Sequence, residues 1–121
     1  MTSAMLEKKI IEGIPEVDSQ YLFSKLPQIE GQVKLIDVRR SEEFSGELGH
    51  IEGSKLITLG PDLVEFLKTE KKDQEIVFIC RSGARSGSAT FESIRLGFTK
   101  TANMTGGMLA WNALKLPTLK I

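Results

Sequence analysis

Branched apolar residues gather in short runs along this chain, with amphipathic stretches between them. Val33, Leu35, Ile36 and Val38 make a run that ends in charge at Arg39, which suits a buried strand over residues 33–38. Ile76, Val77, Phe78 and Ile79 follow one another with no polar alternation, the pattern of a strand covered on both faces. Shorter strands are expected near Leu56, Ile57 and Thr58 and around residues 101–104. Between the strands, Asp18 and Ser19 can cap a helix carrying Tyr21, Leu22 and Leu26. Ser41, Glu42 and Glu43 offer a cap and acids at the positive end of a short helix reaching Phe44. Gly60 and Pro61 open another, with Leu63, Phe66 and Leu67 on one face. Residues 85–96 form a further helix that Gly97 is placed to end, and a last one follows Gly106 and Gly107 with Met108 and Trp111. Gly46, Gly49 and Gly53 mark a loop. This alternation predicts an α/β domain with a largely parallel sheet.

Size narrows this to one unit. At 121 residues the chain is about one ordinary domain, with no internal repeat and no linker-like stretch. Residues 1–13 are the least patterned and are expected to be an arm or a short extra helix, and residues 14–121 the domain proper. Hydrophobic residues at 40%, charged residues at 26% and a mean hydropathy of −0.09 describe a globular chain. Its apolar runs are far too short to span a membrane, and Glu7, Lys8 and Lys9 interrupt any signal-peptide core. The expectation is a small soluble cytoplasmic protein.

Charge redirects attention to the C-terminal third. The net charge is zero, yet residues 1–75 hold 10 basic and 15 acidic side chains, whereas residues 76–121 hold six basic ones against Glu92 alone. A balanced total argues against a general nucleic-acid binder, and a local basic region is compatible with a site for a small anion.

The single cysteine, Cys80, lies in that basic region, directly after the apolar run 76–79. One cysteine can neither close an intramolecular disulfide nor supply a cysteine-rich zinc site, so no metal and no cofactor are expected. A strand delivers Cys80 to its C-terminal end, where open α/β sheets place their ligands. The segment Arg81, Ser82, Gly83, Ala84, Arg85 and Ser86 must then turn into a helix, with Gly83 permitting the tight backbone. Such a loop can aim several amides at one point, backed by the positive end of the helix. A sulfur there is stabilised as thiolate, and Arg81 and Arg85 push the same way. Inert core cysteines need none of this context, so Cys80 is read as a nucleophile.

These residues carry a resemblance. Leu35-Ile36-Asp37-Val38-Arg39, Glu43-Phe44 and Gly49-His50-Ile51-Glu52-Gly53-Ser54 resemble the opening signature of rhodanese-like domains. Cys80-Arg81-Ser82-Gly83-Ala84-Arg85-Ser86 resembles their active-site loop, and Gly106-Gly107 with Ala110-Trp111 their closing signature. The match runs from about residue 15 to the end; Ser54-Lys55-Leu56-Ile57 departs from the usual Ala-x-Asn-Ile. The resemblance implies a five-stranded, mostly parallel sheet with helices on both faces. It also implies a thiosulfate sulfurtransferase working through a Cys80 persulfide. Cys80 would be catalytic, with residues 81–86 binding the anionic donor. Expected partners are a small anionic sulfur donor and an external acceptor: cyanide, a small thiol, a protein thiol or a sulfur-carrier protein. Nucleic acid and membrane are not expected, and the protein would act as monomer or homodimer.

Asp37 and Arg39 lie just past a strand and could line the site, although an ion pair that holds loops together is favoured. His50, the only histidine, is read as a loop anchor rather than a base, and Trp111 as core. Two other functions stay open. A cysteine-dependent phosphatase shares the strand–loop–helix cradle, but Arg85 here follows Cys80 after four residues rather than five. A non-catalytic binding or redox-sensing module would use the same low-pKa thiol without turnover.

Overall fold

The computed structural model describes residues 4–121. Six strands occur among the described residues: β1 (Lys9–Ile11), β2 (Ile14–Val17), β3 (Val33–Asp37), β4 (Lys55–Leu56), β5 (Glu75–Ile79) and β6 (Thr101–Met104). Five helices join them: α1 (Ser19–Ile29), α2 (Ser41–Phe44), α3 (Pro61–Thr69), α4 (Ala84–Arg95) and α5 (Gly107–Ala113). The sheet order is β1-β2-β6-β5-β3-β4, parallel throughout except for the β1–β2 pair. The α/β class with a mostly parallel sheet and helices on both faces is as expected, with one strand more than the five implied.

The extra strand lies in the segment expected to be an arm or short helix. β1 and β2 form an antiparallel hairpin with Ile11 opposite Ile14. Glu12 and Gly13 make its turn with φ of 51° and 81°. A two-residue hairpin needs positive φ at both turn positions, and glutamate at the first is a poor signal for it. Pro15 further disguises β2 as loop, and a proline is tolerated there because the pairing of β2 with β6 begins only at the next residue, Glu16. Residues 1–3 of the expected arm lie outside the described residues, and residues 5–8 are tied down rather than free. The buried Glu75 carboxylate accepts the Met5 and Leu6 amides at 2.6 and 3.0 Å and the Lys8 ammonium at 2.6 Å, and Leu6 enters the core.

β5 is the central strand, and every one of its residues is buried. Its two-residue period splits the core. Val77 and Ile79 join Leu22 of α1 and Met108 and Trp111 of α5 on one face. Ile76, Phe78 and then Cys80 join Leu63 and Leu67 of α3 and Ala89 of α4 on the other. Trp111 is fully buried, donates its indole N–H to the Pro117 carbonyl at 3.0 Å and meets Phe23 edge to face. It is core, as expected.

Helix boundaries follow local chemistry. The Asp18 carboxylate caps α1 by accepting the Tyr21 amide at 2.7 Å. In α2 the cap is Arg40 rather than Ser41, and Glu43 reaches back to the Arg40 amide at 3.1 Å. Between β3 and α2 lies the ion pair that fixes this end of the sheet. Arg39 is 1% exposed and forks onto Asp37, 0% exposed, at 2.9 and 2.8 Å, and donates a third bond to the Gly49 carbonyl at 2.7 Å.

Removing one partner of a buried pair strands the other charge, at a cost of about 3–5 kcal/mol. Asp37→Ala is therefore expected to lower the unfolding free energy by about that amount in urea denaturation. A loss well under 1 kcal/mol would remove the pair from any role in holding these loops.

Candidate active site

Cys80 is the first residue beyond β5, and the chain turns at once through residues 81–83 into α4. Gly83, the residue before that helix, is left-handed at φ 103°, as the tight loop required. Four donors converge on the sulfur. The Gly83 amide lies 3.0 Å from Sγ, the Ser86 hydroxyl 3.1 Å, and the Ser86 and Ser82 amides point the same way. Burial pushes the Cys80 thiol up, but these hydrogen bonds outweigh it, so the thiol lies below its ordinary range. Cys80 itself is buried, at 1% exposure.

What aims the loop lies on the next strand and helix. α5 starts against the loop, with the Met108 amide donating to the Cys80 carbonyl at 2.8 Å and the Leu109 amide to the Arg81 carbonyl at 2.9 Å. Gly107 makes this approach possible. A Cβ there would sit 2.5 Å from both carbonyl oxygens.

Of residues 81–86, Ser82, Gly83 and Ser86 direct donors at the sulfur, and the two arginines differ in a way the sequence did not reveal. Arg85 forks onto Glu43 of α2, with both bonds at 2.7 Å, and each nitrogen of that fork is committed to a carboxylate oxygen. That hydrogen-bonded pairing pulls the Glu43 carboxyl down to about 2, and the Arg85 value rises correspondingly. Arg81 is exposed, and its side chain forms no hydrogen bond or ion pair among the described residues. It borders a cleft of about 270 Å³ that Arg39, Glu42, Glu43 and Glu47 also line. Ala84 is exposed at the helix start, while Ser86 is fully buried beneath the sulfur.

Asp37 and Arg39 satisfy each other behind this wall, which fits a structural part. His50 is an anchor: its Nδ1 is 2.9 Å from the Phe44 carbonyl, its ring stacks on Phe44, and its backbone pairs with Leu119. Two residues near the sulfur went unnoticed in the sequence. Asn103 of β6 takes the Ser86 hydroxyl on its Oδ1 at 2.5 Å, and Glu16 of β2 holds the Asn103 amide from behind at 3.2 and 3.1 Å. Only their place at the C-terminal ends of neighbouring parallel strands hinted at them. No group of His, Cys, Asp and Glu suited to a metal ion occurs among the described residues, and no helix there is long and apolar enough to cross a membrane.

The chain is similar to known proteins. The family model for the rhodanese-like domain matches residues 23–114. The Bacillus subtilis protein described as "Putative sulfurtransferase YtwF" is 39% identical over 104 residues, covering 86% of this chain and 96% of that one. A protein of Allochromatium vinosum named "Sulfurtransferase" is 33% identical over 105 residues, covering 86% and 94%. Among solved structures, a rhodanese-related protein from Thermoplasma volcanium superposes with a TM-score of 0.74 at 24% identity, over 88% of this chain and 98% of that one, a likeness of fold. Motifs, fold and relatives agree, and the chain belongs to the rhodanese-like domain family, among relatives named sulfurtransferases.

Proposed function

We propose that this protein moves a sulfane sulfur from an anionic donor, thiosulfate or another persulfide, to an external thiophile through a persulfide on Cys80. The observation that carries the reading is the sulfur at the focus of the loop, with the Gly83 amide at 3.0 Å and the Ser86 hydroxyl at 3.1 Å. Those donors favour the thiolate, which is the attacking form.

The thiolate lone pair attacks the outer sulfur of thiosulfate and forms an S–S bond at Sγ. The original S–S bond breaks, and its electron pair leaves with sulfite. Cys80 then carries a persulfide anion, which the same fixed donors stabilise without reorganising. Cyanide, a small thiolate or the thiolate of a protein such as a sulfur carrier attacks the terminal sulfur, and the electron pair returns to Sγ. The chain contains one cysteine, so the acceptor lies outside it.

The arginines divide the electrostatic work. Arg81 meets the oxygens of the donor in this reading, which its exposure and lack of a side-chain partner among the described residues support. Arg85 supplies a positive charge that Glu43 largely cancels, and it braces α4 against α2. Glu43 is held down to about 2, so its share of stability is complete above its unfolded value of 4.5 and is lost as pH falls through about 2. The pair therefore keeps its charges throughout the range in which Cys80 titrates.

The direct test is the mass of the protein. Excess thiosulfate is expected to add one sulfur atom to the wild type and none to Cys80→Ser, and cyanide is expected to remove it with formation of thiocyanate. Release of phosphate from an aryl phosphate, lost in Cys80→Ser, with no sulfur gained from any donor, would replace this reading by a phosphatase.

The two arginines give predictions of opposite sign around Glu43. Glu43→Gln frees a half-exposed positive charge beside the site and is expected to lower KM for thiosulfate by roughly threefold, in line with about 0.2–1 kcal/mol for such a pair. Arg81→Ala removes one charge-assisted contact and is expected to raise KM about tenfold, or about 1.4 kcal/mol. Steady-state kinetics in which Glu43→Gln raises KM and Arg81→Ala leaves it alone would reverse the assignment.

A further inference from the structure

We propose that Asn103 is a positioning residue that competes with the Cys80 sulfur for the single hydroxyl proton of Ser86, and so sets how far the thiol ionises. The inference rests on Cys80 being the reacting thiolate, and it adds a control that the cysteine loop does not itself contain.

The Ser86 oxygen carries one hydrogen and has two acceptors in reach. Cys80 Sγ lies at 3.1 Å and Asn103 Oδ1 at 2.5 Å, and Ser86 and Asn103 are buried at 0% and 5% exposure. One hydrogen cannot serve both. The orientation of the Asn103 amide is fixed by its other end. Nδ2 faces both Glu16 carboxylate oxygens, at 3.2 and 3.1 Å, and the Gly83 carbonyl at 3.1 Å. All three are acceptors, so the amide cannot turn its oxygen toward them, and Oδ1 is left facing Ser86. Backbone register enforces the pairing, because Glu16 and Asn103 sit opposite each other in the parallel β2–β6 ladder. Thr105 steadies the carboxylate by donating to it at 2.8 Å.

The consequence is a hydroxyl with two settings. With a thiol, the S–H can donate to Ser86 Oγ while the Ser86 hydrogen serves Asn103. With a thiolate, the hydrogen must turn to sulfur, and Oδ1 gives it up. Ionising Cys80 therefore costs the Ser86–Asn103 bond, and Asn103 holds the thiol above the value that Ser86 alone would give it. Other charges surround the sulfur: Arg81 on the loop, Arg85 with Glu43, the Asp37–Arg39 pair after β3, and Glu16 beyond Asn103. None of the described ones hydrogen-bonds the Ser86 hydroxyl, so the toggle belongs to Asn103.

The test is the rate of Cys80 alkylation by iodoacetamide as a function of pH, which reads the thiol without sulfur transfer. Asn103→Leu removes the competing acceptor and is expected to move the midpoint down by about one pH unit, the scale of one hydrogen bond redirected to a charge. Ser86→Ala is expected to move it up by a similar amount. In the Ser86→Ala background, Asn103→Leu is expected to add nothing, which a merely structural role for Asn103 would not produce. A midpoint unchanged or raised in Asn103→Leu, or a shift that persists without Ser86, overturns the proposal. Should Asn103→Leu not fold, the native protein still decides: the Asn103 side-chain amide resonances are expected to move through the alkylation midpoint, and resonances that stay still overturn it. Absence of sulfur transfer alongside intact coupling would strike the proposed function and leave this inference standing.

Discussion

The loop around Cys80 is fastened to the rest of the fold by where two carbonyl groups point. A peptide unit is planar and trans, so turning its oxygen one way turns its N–H the other. The Cys80 and Arg81 oxygens are drawn outward onto the Met108 and Leu109 amides of α5, and in the second of these peptide units this turns the Ser82 N–H toward the sulfur. The amides at the start of a helix lack intrahelical partners and need acceptors in any case, so one contact satisfies α5 and aims the loop. Its condition is backbone against backbone, which the absence of a side chain at Gly107 allows. β5, β6 and the register between them exist, functionally, to bring those two segments to the same place.

A second layer keeps the mouth in shape. The loop after β3 supplies Glu43 to Arg85, and it is anchored in turn by Arg39 on Asp37 and on the Gly49 carbonyl, and by His50 against Phe44. These groups act on the sulfur only through what they hold. Charge that the sequence placed in an unbalanced C-terminal third is, in the fold, largely balanced across the sheet, since Glu43 and Glu16 from the acidic two-thirds come to the site. The local positive field comes down to Arg81 and a partly cancelled Arg85.

How much of this was legible follows from the range of the interactions. Strand β5, the turn at Gly83 and the thiol at the strand end are local, and the hydrophobic run followed by Cys80 and Gly83 displays them directly. The cap of α2 came out within a residue, and β4 lies one to two residues earlier than expected, as happens with short elements. The β1–β2 hairpin was hidden because its turn uses Glu12 where the usual signal is asparagine or aspartate, and because Pro15 breaks the strand pattern. The partners of Arg85 and Ser86 were hidden for a different reason. Glu43 lies 42 residues from Arg85, and Asn103 lies 17 from Ser86; each pair is joined by sheet order, which no local pattern encodes. Nothing distinguishes Asn103 in the sequence from any polar residue on a short strand.

The central claim is that the fixed donors around Cys80 overcome its burial and hold its thiol below the ordinary range. Burial favours the neutral thiol, while the hydroxyl and the loop amides favour the anion, and the two effects differ in sign, so one titration separates them. Ultraviolet absorbance of the thiolate, followed against pH with Cys80→Ser as the blank, measures the balance directly. The account predicts a midpoint below the ordinary thiol value of about 8.5, and a midpoint at or above that value would contradict it.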